Sequence, residues 1–259
     1  MLGLPDEIRA CLFDVDGVLT ETAIVHRAAW KKTFDLFLGR HPGLTPEQSG
    51  EFTDDDYNAH VDGKPRHDGV RDFLASRGIV LAEGSVDDPV DTPTVKGIAN
   101  RKNVLVLAEL EEHGVTPYVG SLRYLEAVRA AGLRIAAVTA SANGEAIIEA
   151  GGFTEFCEAR IDGIVAARDK LKGKPAPDPF LAGARALGVE ASQAAVFEDA
   201  ISGVQAGRAG RFGFVIGVNR VGQADALREN GADLVVDDLA ELLDPPTSLG
   251  ADAPHGSSS

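Results

Sequence analysis

From Gly120 onward one unit recurs along the chain, and the recurrence limits the fold more than any other feature. SLRYLEAVRAAG has the apolar spacing of an amphipathic helix closed by Gly132, and the strand-like RIAAVTA follows it. PDPFLAGARALG then leads to AAVFED, AISGVQAGRAG to FGFVIGV, and QADALRENG to DLVV. Helical segments alternating with short apolar runs predict a parallel sheet with helical crossovers, and so a doubly wound α/β domain.

One more strand candidate lies far upstream. CLFDVDGVLT, residues 11 to 20, carries Leu12, Phe13, Val15, Val18 and Leu19, the pattern of a strand buried on both faces. Between it and the repeating units the sequence is helical in pattern, with loops rich in Pro, Gly and Asp over 40–65 and 83–97. A domain inserted after the first strand explains the gap. The expected organisation is a core of residues 1–22 and 114–243, a helical cap over 23–113, and a disordered tail over 244–259, where Pro, Gly and Ser accumulate without periodicity.

Composition narrows the partners. A net charge of −15 argues against nonspecific binding to nucleic acid or anionic lipid. Two cysteines, Cys11 and Cys157, suit a reduced compartment better than a disulfide scaffold. MLGLPDEIRA lacks a basic start followed by a long apolar stretch, and no apolar run reaches membrane-spanning length, so a cytoplasmic protein is expected.

The apolar run CLFDVDGVLT contains two carboxylates, Asp14 and Asp16. Buried and ionised, they would be costly and would raise each other's pKa, so a cation is expected beside them. In open α/β sheets ligands bind at the carboxyl ends of the strands. The residues just past the predicted strands are Asp14 and Asp16, Thr139 and Ser141, then Glu198 and Asp199, with Lys174 in the intervening loop GKPAPDP. Each alone has a plainer reading: a turn, a helix N-cap at Asn143, a helix start at Glu198, a solvated loop lysine. Together they form a site for a hard cation and an anion.

Oxygen-only ligands favour Mg²⁺, held by Asp14, Asp16, Glu198 and Asp199. Lys174 supplies positive charge toward a phosphoryl group, and Thr139, Ser141 and the helix starting near Asn143 supply hydrogen bonds to its oxygens. A carboxylate beside such a group can attack phosphorus, which makes Asp14 the nucleophile of an aspartyl phosphate. Asp16, two positions on, returns to the same side as the general acid and base.

With these residues in place the chain resembles the haloacid dehalogenase superfamily: DVDGVLT, Thr139 in AAVTAS, Lys174 in GKPAPDP and FEDAISGVQAG look like its four motifs, in order. From about Arg9 to Leu243 it is similar to the β-phosphoglucomutase group, through TETAIVHRAAW, GKPRHDGVRDFL, NRKN and SAN. The resemblance implies a Rossmann-like core with a helical cap. It also implies a substrate-binding set of Thr22, His26, Gly63, Arg66, Lys102, Ser141, Ala142 and Asn143, in which Thr22 and His26 sit at the hinge and control Asp16, Arg66 grips a distal phosphate, and Lys102 lines the cavity. One departure stands out: mutases of this group usually carry lysine where this chain has Ala142.

The expected activity is Mg²⁺-dependent phosphoryl transfer on a small sugar phosphate by a monomer. The leading form is a mutase converting β-glucose 1-phosphate to glucose 6-phosphate, primed by glucose 1,6-bisphosphate. A sugar-phosphate phosphatase with the same aspartyl phosphate is the alternative, and a catalytically silent module that binds Mg²⁺ and phosphate is the alternative of another class.

Overall fold

The computed structural model describes residues 2–243. The tail expected over 244–259 lies outside them. Among the described residues, strands β1 (Ala10–Phe13), β2 (Arg134–Val138), β3 (Ala159–Ile161), β4 (Ala194–Glu198), β5 (Phe214–Val218) and β6 (Leu234–Val236) form one parallel sheet in the order β3-β2-β1-β4-β5-β6. Ordering reverses at β1, which lies between β2 and β4, and a crevice opens there at the strand ends.

Alternation along the strands covers both faces of the sheet. Cys11, Phe13, Ile135, Ala137, Ala195 and Phe197 join one apolar cluster, while Ala10, Leu12, Ala136, Val138, Ala194 and Val196 join the other. Phe13 and Phe197 are register partners, and their rings stack at 4.3 Å between centroids. Helices α5 (Val119–Ala130), α6 (Gly144–Ala150), α7 (Gly163–Arg168), α8 (Asp178–Ala186), α9 (Ile201–Ala209) and α10 (Ala224–Glu229) supply the crossovers.

Between β1 and β2 the chain first builds α1 (Thr22–Arg40), α2 (Asp54–Asp56), α3 (Arg66–Ser76) and α4 (Val95–His113). These helices enclose a separate apolar cluster in which Phe34 contacts Trp30, Phe52 and Phe73, with centroids 4.2 to 5.0 Å apart. Its connections to the sheet run side by side: Glu21 N–H donates to the Thr116 carbonyl and Tyr118 N–H to the Leu19 carbonyl, each at 2.9 Å. This is the helical cap expected after the first strand.

Two sequence expectations are corrected, and one strand is added to those expected. The run from Leu12 to Leu19 leaves the sheet after Phe13; Val15, Val18 and Leu19 stay fully buried in a turn instead. The expected loop over 40–65 contains α2 and a π-helical turn, Tyr57–Val61, started by a capping box between Thr53 and Asp56. Strand β3 was not foreseen, because three residues carry too little periodicity.

Candidate active site

Asp14 follows the last residue of β1, and its N–H donates to the Phe197 carbonyl at 2.9 Å, so the sheet itself fixes this residue. The chain then turns sharply at Gly17, whose φ is +91°. A Cβ there would lie 1.9 Å from Asp199 Oδ2, so only glycine lets the carboxylate of Asp199 come over the loop. Lys174 is 3% exposed, and its ammonium donates to both Asp14 Oδ1 and Glu198 Oε1. The other Glu198 oxygen accepts the Ala200 N–H at 2.9 Å.

The electrostatics follow from burial. Loss of solvent pushes the Asp14 carboxyl well above its usual range against the pull of Lys174, with Glu198 and Asp16 adding to the rise. Burial also raises Asp199, helped by the charges of Asp62 and Glu198. For Lys174 burial favours the neutral amine, but Asp14 and Glu198 outweigh it and hold the ammonium.

Asp16 faces the other way. Its Oδ1 accepts Thr22 Oγ1 at 2.5 Å, and its Oδ2 accepts Thr139 Oγ1 at 2.9 Å. Burial opposes its ionisation, yet His26 and these two hydroxyls hold the carboxyl below its ordinary value. His26 Nε2 lies 3.4 Å from Asp16 Oδ1, and its Nδ1 is 2.7 Å from Lys102 Nζ. Burial lowers His26 to about 4 and Lys102 to about 7. The Lys102 ammonium also stands over the Trp30 ring, 5.2 Å from its centroid.

Core and cap enclose a cavity of about 920 Å³. Asp14, Asp16, His26, Gly63, Arg66, Lys102, Thr139, Ser141, Ala142, Asn143, Lys174, Glu198 and Asp199 all line it. Thr22, expected among the substrate-binding residues, does not. It is buried behind Asp16 and reaches the cavity only through that carboxylate. Asn143 stands at the N-cap position of α6 without making a side-chain cap, and its Nδ2 donates to Asn103 Oδ1 at 3.1 Å. Arg66 donates to the same oxygen at 2.9 Å, so Asn103 ties the cap arginine to the core.

The donor set fits a hard divalent cation. Asp14, Glu198 and Asp199 offer only oxygen, and the raised Asp14 and Asp199 carboxyls lack positive charge beyond what Lys174 supplies. Among the described residues, however, no three acidic or histidine side chains form a ready coordination group. Lys174 stands between Asp14 and Glu198, and both Asp16 oxygens are taken by hydroxyls, which makes the Asp16 side chain the poorest of the four expected ligands.

Residues 8–211 match the family model for haloacid dehalogenase-like hydrolases. A β-phosphoglucomutase of Mycobacterium bovis is 51% identical over 247 residues, which cover 94% of each chain. Our chain belongs to this family. Within it, the chain falls in the β-phosphoglucomutase-like group, and it is an enzyme, a phosphotransferase or a phosphatase. The crystal structure of a hydrolase from Pseudomonas syringae shares its fold at a TM-score of 0.73 and 19% identity, covering 92% of this chain and 97% of that one. A β-phosphoglucomutase from Clostridium difficile does so at 0.69 and 24%, covering 91% and 93%.

Three further residues that line the cavity are not among the sequence candidates. Asn103 lies inside NRKN on α4. Tyr57 and Asp62 lie in and just after the π-helical turn, and burial joined by the Glu198 charge pushes Asp62 to about 6. The Asp-Gly pair at 62–63 was the available signal, and it marks only a turn.

Proposed function

We propose that the chain moves a phosphoryl group between two positions of a sugar phosphate through an aspartyl phosphate on Asp14, as a β-phosphoglucomutase. The observation that carries this reading is the two-ended cavity. Asp14 and Lys174 lie on the core side, and Arg66 and Lys102 line the same cavity from the cap. A bisphosphate intermediate needs a grip for the phosphate that is not reacting, and a guanidinium and an ammonium supply one.

Starting from phosphorylated Asp14, Asp16, held ionised by Thr22 and Thr139, takes the proton of the incoming sugar hydroxyl as that oxygen attacks phosphorus and the bond from phosphorus to Asp14 breaks. In the return step an Asp14 oxygen attacks the other phosphate of the bisphosphate, the bond to the leaving sugar oxygen breaks, and Asp16 gives that oxygen the proton it took. Lys174 stays within reach of Asp14 and offsets charge on the transferring group. The Thr139 hydroxyl donates to Asp16 and accepts from the Ser141 N–H at 3.0 Å, so it fixes the acid relative to the second strand end.

Asp14, Glu198 and Asp199 would hold a Mg²⁺ ion, which when bound neutralises carboxylate charge and polarises phosphoryl oxygens. Glucose 1,6-bisphosphate would prime Asp14. Ala142 supports the phosphatase as the second reading, since it leaves the core phosphate position without a second cation.

Incubation with β-glucose 1-phosphate, Mg²⁺ and a trace of glucose 1,6-bisphosphate tests the two. The mutase yields glucose 6-phosphate with little free phosphate. Stoichiometric release of free phosphate in place of glucose 6-phosphate would identify a phosphatase.

A further inference from the structure

The loop after β5 sends two polar side chains into the backbone of the site, and the reaction gives neither of them a task. Arg220 Nε donates to the Gly17 carbonyl at 2.7 Å, and Gln223 Nε2 donates to the Asp199 carbonyl at 2.8 Å. The loop itself is anchored beside β6. Asn219 N–H donates to the Val236 carbonyl at 2.8 Å and its Nδ2 to Asp237 Oδ1 at 2.7 Å, while its Oδ1 accepts the Gln223 N–H at 2.7 Å. Arg220 Nη1 donates to the Asp237 carbonyl at 2.9 Å, and its guanidinium stands 3.6 Å from the centre of the Tyr118 ring.

The two carbonyls it holds belong to segments that meet in the site. The Asp199 carboxylate lies over Gly17, where a Cβ would stand 1.9 Å from its Oδ2 and 2.5 Å from its Cγ. Lys174 holds Asp14 and Glu198, and two hydroxyls hold Asp16, yet among the described residues no hydrogen bond reaches the Asp199 carboxylate. Its place is set through its backbone. The contacts close a ring that runs from the Gly17 turn to Asp199, to Gln223, along the loop to Arg220, and back to Gly17.

We propose that Arg220 and Gln223 are positioning residues that hold the Asp199 carboxylate over the turn bearing Asp14 and Asp16, and so set the affinity of the acidic end for Mg²⁺. This rests on the Mg²⁺ reading above. Neither residue lines the cavity, so each acts through the backbone of another, and partners that orient a ligating group tune how tightly the metal is held.

Calorimetric titration of the metal-free protein with Mg²⁺ tests it, beside turnover at saturating Mg²⁺ and thermal unfolding without the metal. Gln223→Met keeps length and neutrality but cannot donate, and Arg220→Lys keeps the charge but loses the fork that serves Gly17 and Asp237 together. Each variant should bind Mg²⁺ roughly three- to tenfold more weakly, the effect of one lost hydrogen bond. Turnover at saturating Mg²⁺ should stay within about threefold. A lower unfolding midpoint with unchanged Mg²⁺ affinity would reduce both residues to a structural brace and overturn the proposal. Tight binding retained in either variant alone would open the ring and overturn it too. If the unmodified protein bound no Mg²⁺, the metal reading itself would fall, whereas equal binding by the protein and both variants would remove only the positioning.

Discussion

The core wall of the cavity and its cap wall hold charge by different means. On the core side Asp14, Lys174 and Glu198 stand at or beside strand ends, 0 to 5% exposed, joined directly to one another. The cap groups are carried by helices packed on a separate aromatic cluster, and their ties to the core are single side-chain bonds: Arg66 through Asn103 to Asn143, and His26 toward Asp16. The difference teaches a division of work. The acidic groups and Lys174 are fixed by the sheet and its loops, and the groups facing them across the cavity are carried by a separately packed body.

The sharpest way to break this division is at Asp14. Asp14→Asn keeps shape and neighbours but has no anionic oxygen, so transfer should fall on the order of 10⁴-fold or more, with the circular dichroism spectrum retained. Intact mass should show no phosphate uptake. Uptake at the normal rate would move the nucleophile elsewhere.

Asp16 belongs to the core wall by sequence and to the cap by contact, through His26. Asp16→Ala should cost about 10²–10⁴-fold on sugar phosphates, whose oxygens need a proton to leave. The loss should be much smaller on an activated aryl phosphate. Equal losses on both would take Asp16 out of the acid role.

Arg66→Ala probes the cap wall. Loss of the distal grip should lower transfer roughly ten- to a hundredfold, with a smaller loss for hydrolysis of a small monophosphate that spans only the core side. Parallel losses, measured in one preparation, would indicate a folding defect instead.

The smallest effect is a pH limb. Burial lowers Lys102 to about 7, so the free enzyme loses this cation as pH rises through that value. A protonated Lys102 attracts phosphate and a neutral one does not, so kcat/KM should decline on the alkaline side, above about pH 7. Lys102→Arg, charged throughout, should shift that limb upward. An unmoved limb would assign it to another group.

How much of this was legible follows local chemistry. Each core group lies within two residues of a predicted strand end or in a loop between two such units, and the helix–strand alternation alone brings those ends together. The inserted cap was legible from the break in that alternation, and Arg66 and Lys102 from the resemblance. Asp62, Tyr57 and Asn103 were not, because a carboxylate after a π-helical turn or an asparagine inside a helix carries no periodic signal.

By itself, then, the order of apolar runs determined the parallel sheet, the strand ends and the candidate groups placed at them, since each depends on spacing along a short stretch. Only the tertiary structure decided that Lys174 bridges Asp14 to Glu198 across 160 and 24 residues of chain. It likewise decided that Asp16 turns to Thr22 and Thr139, and that Asp62 meets the core through Ser202 across 140 residues. Such contacts depend on how the cap closes over the sheet, and packing between distant segments leaves no mark in any one of them.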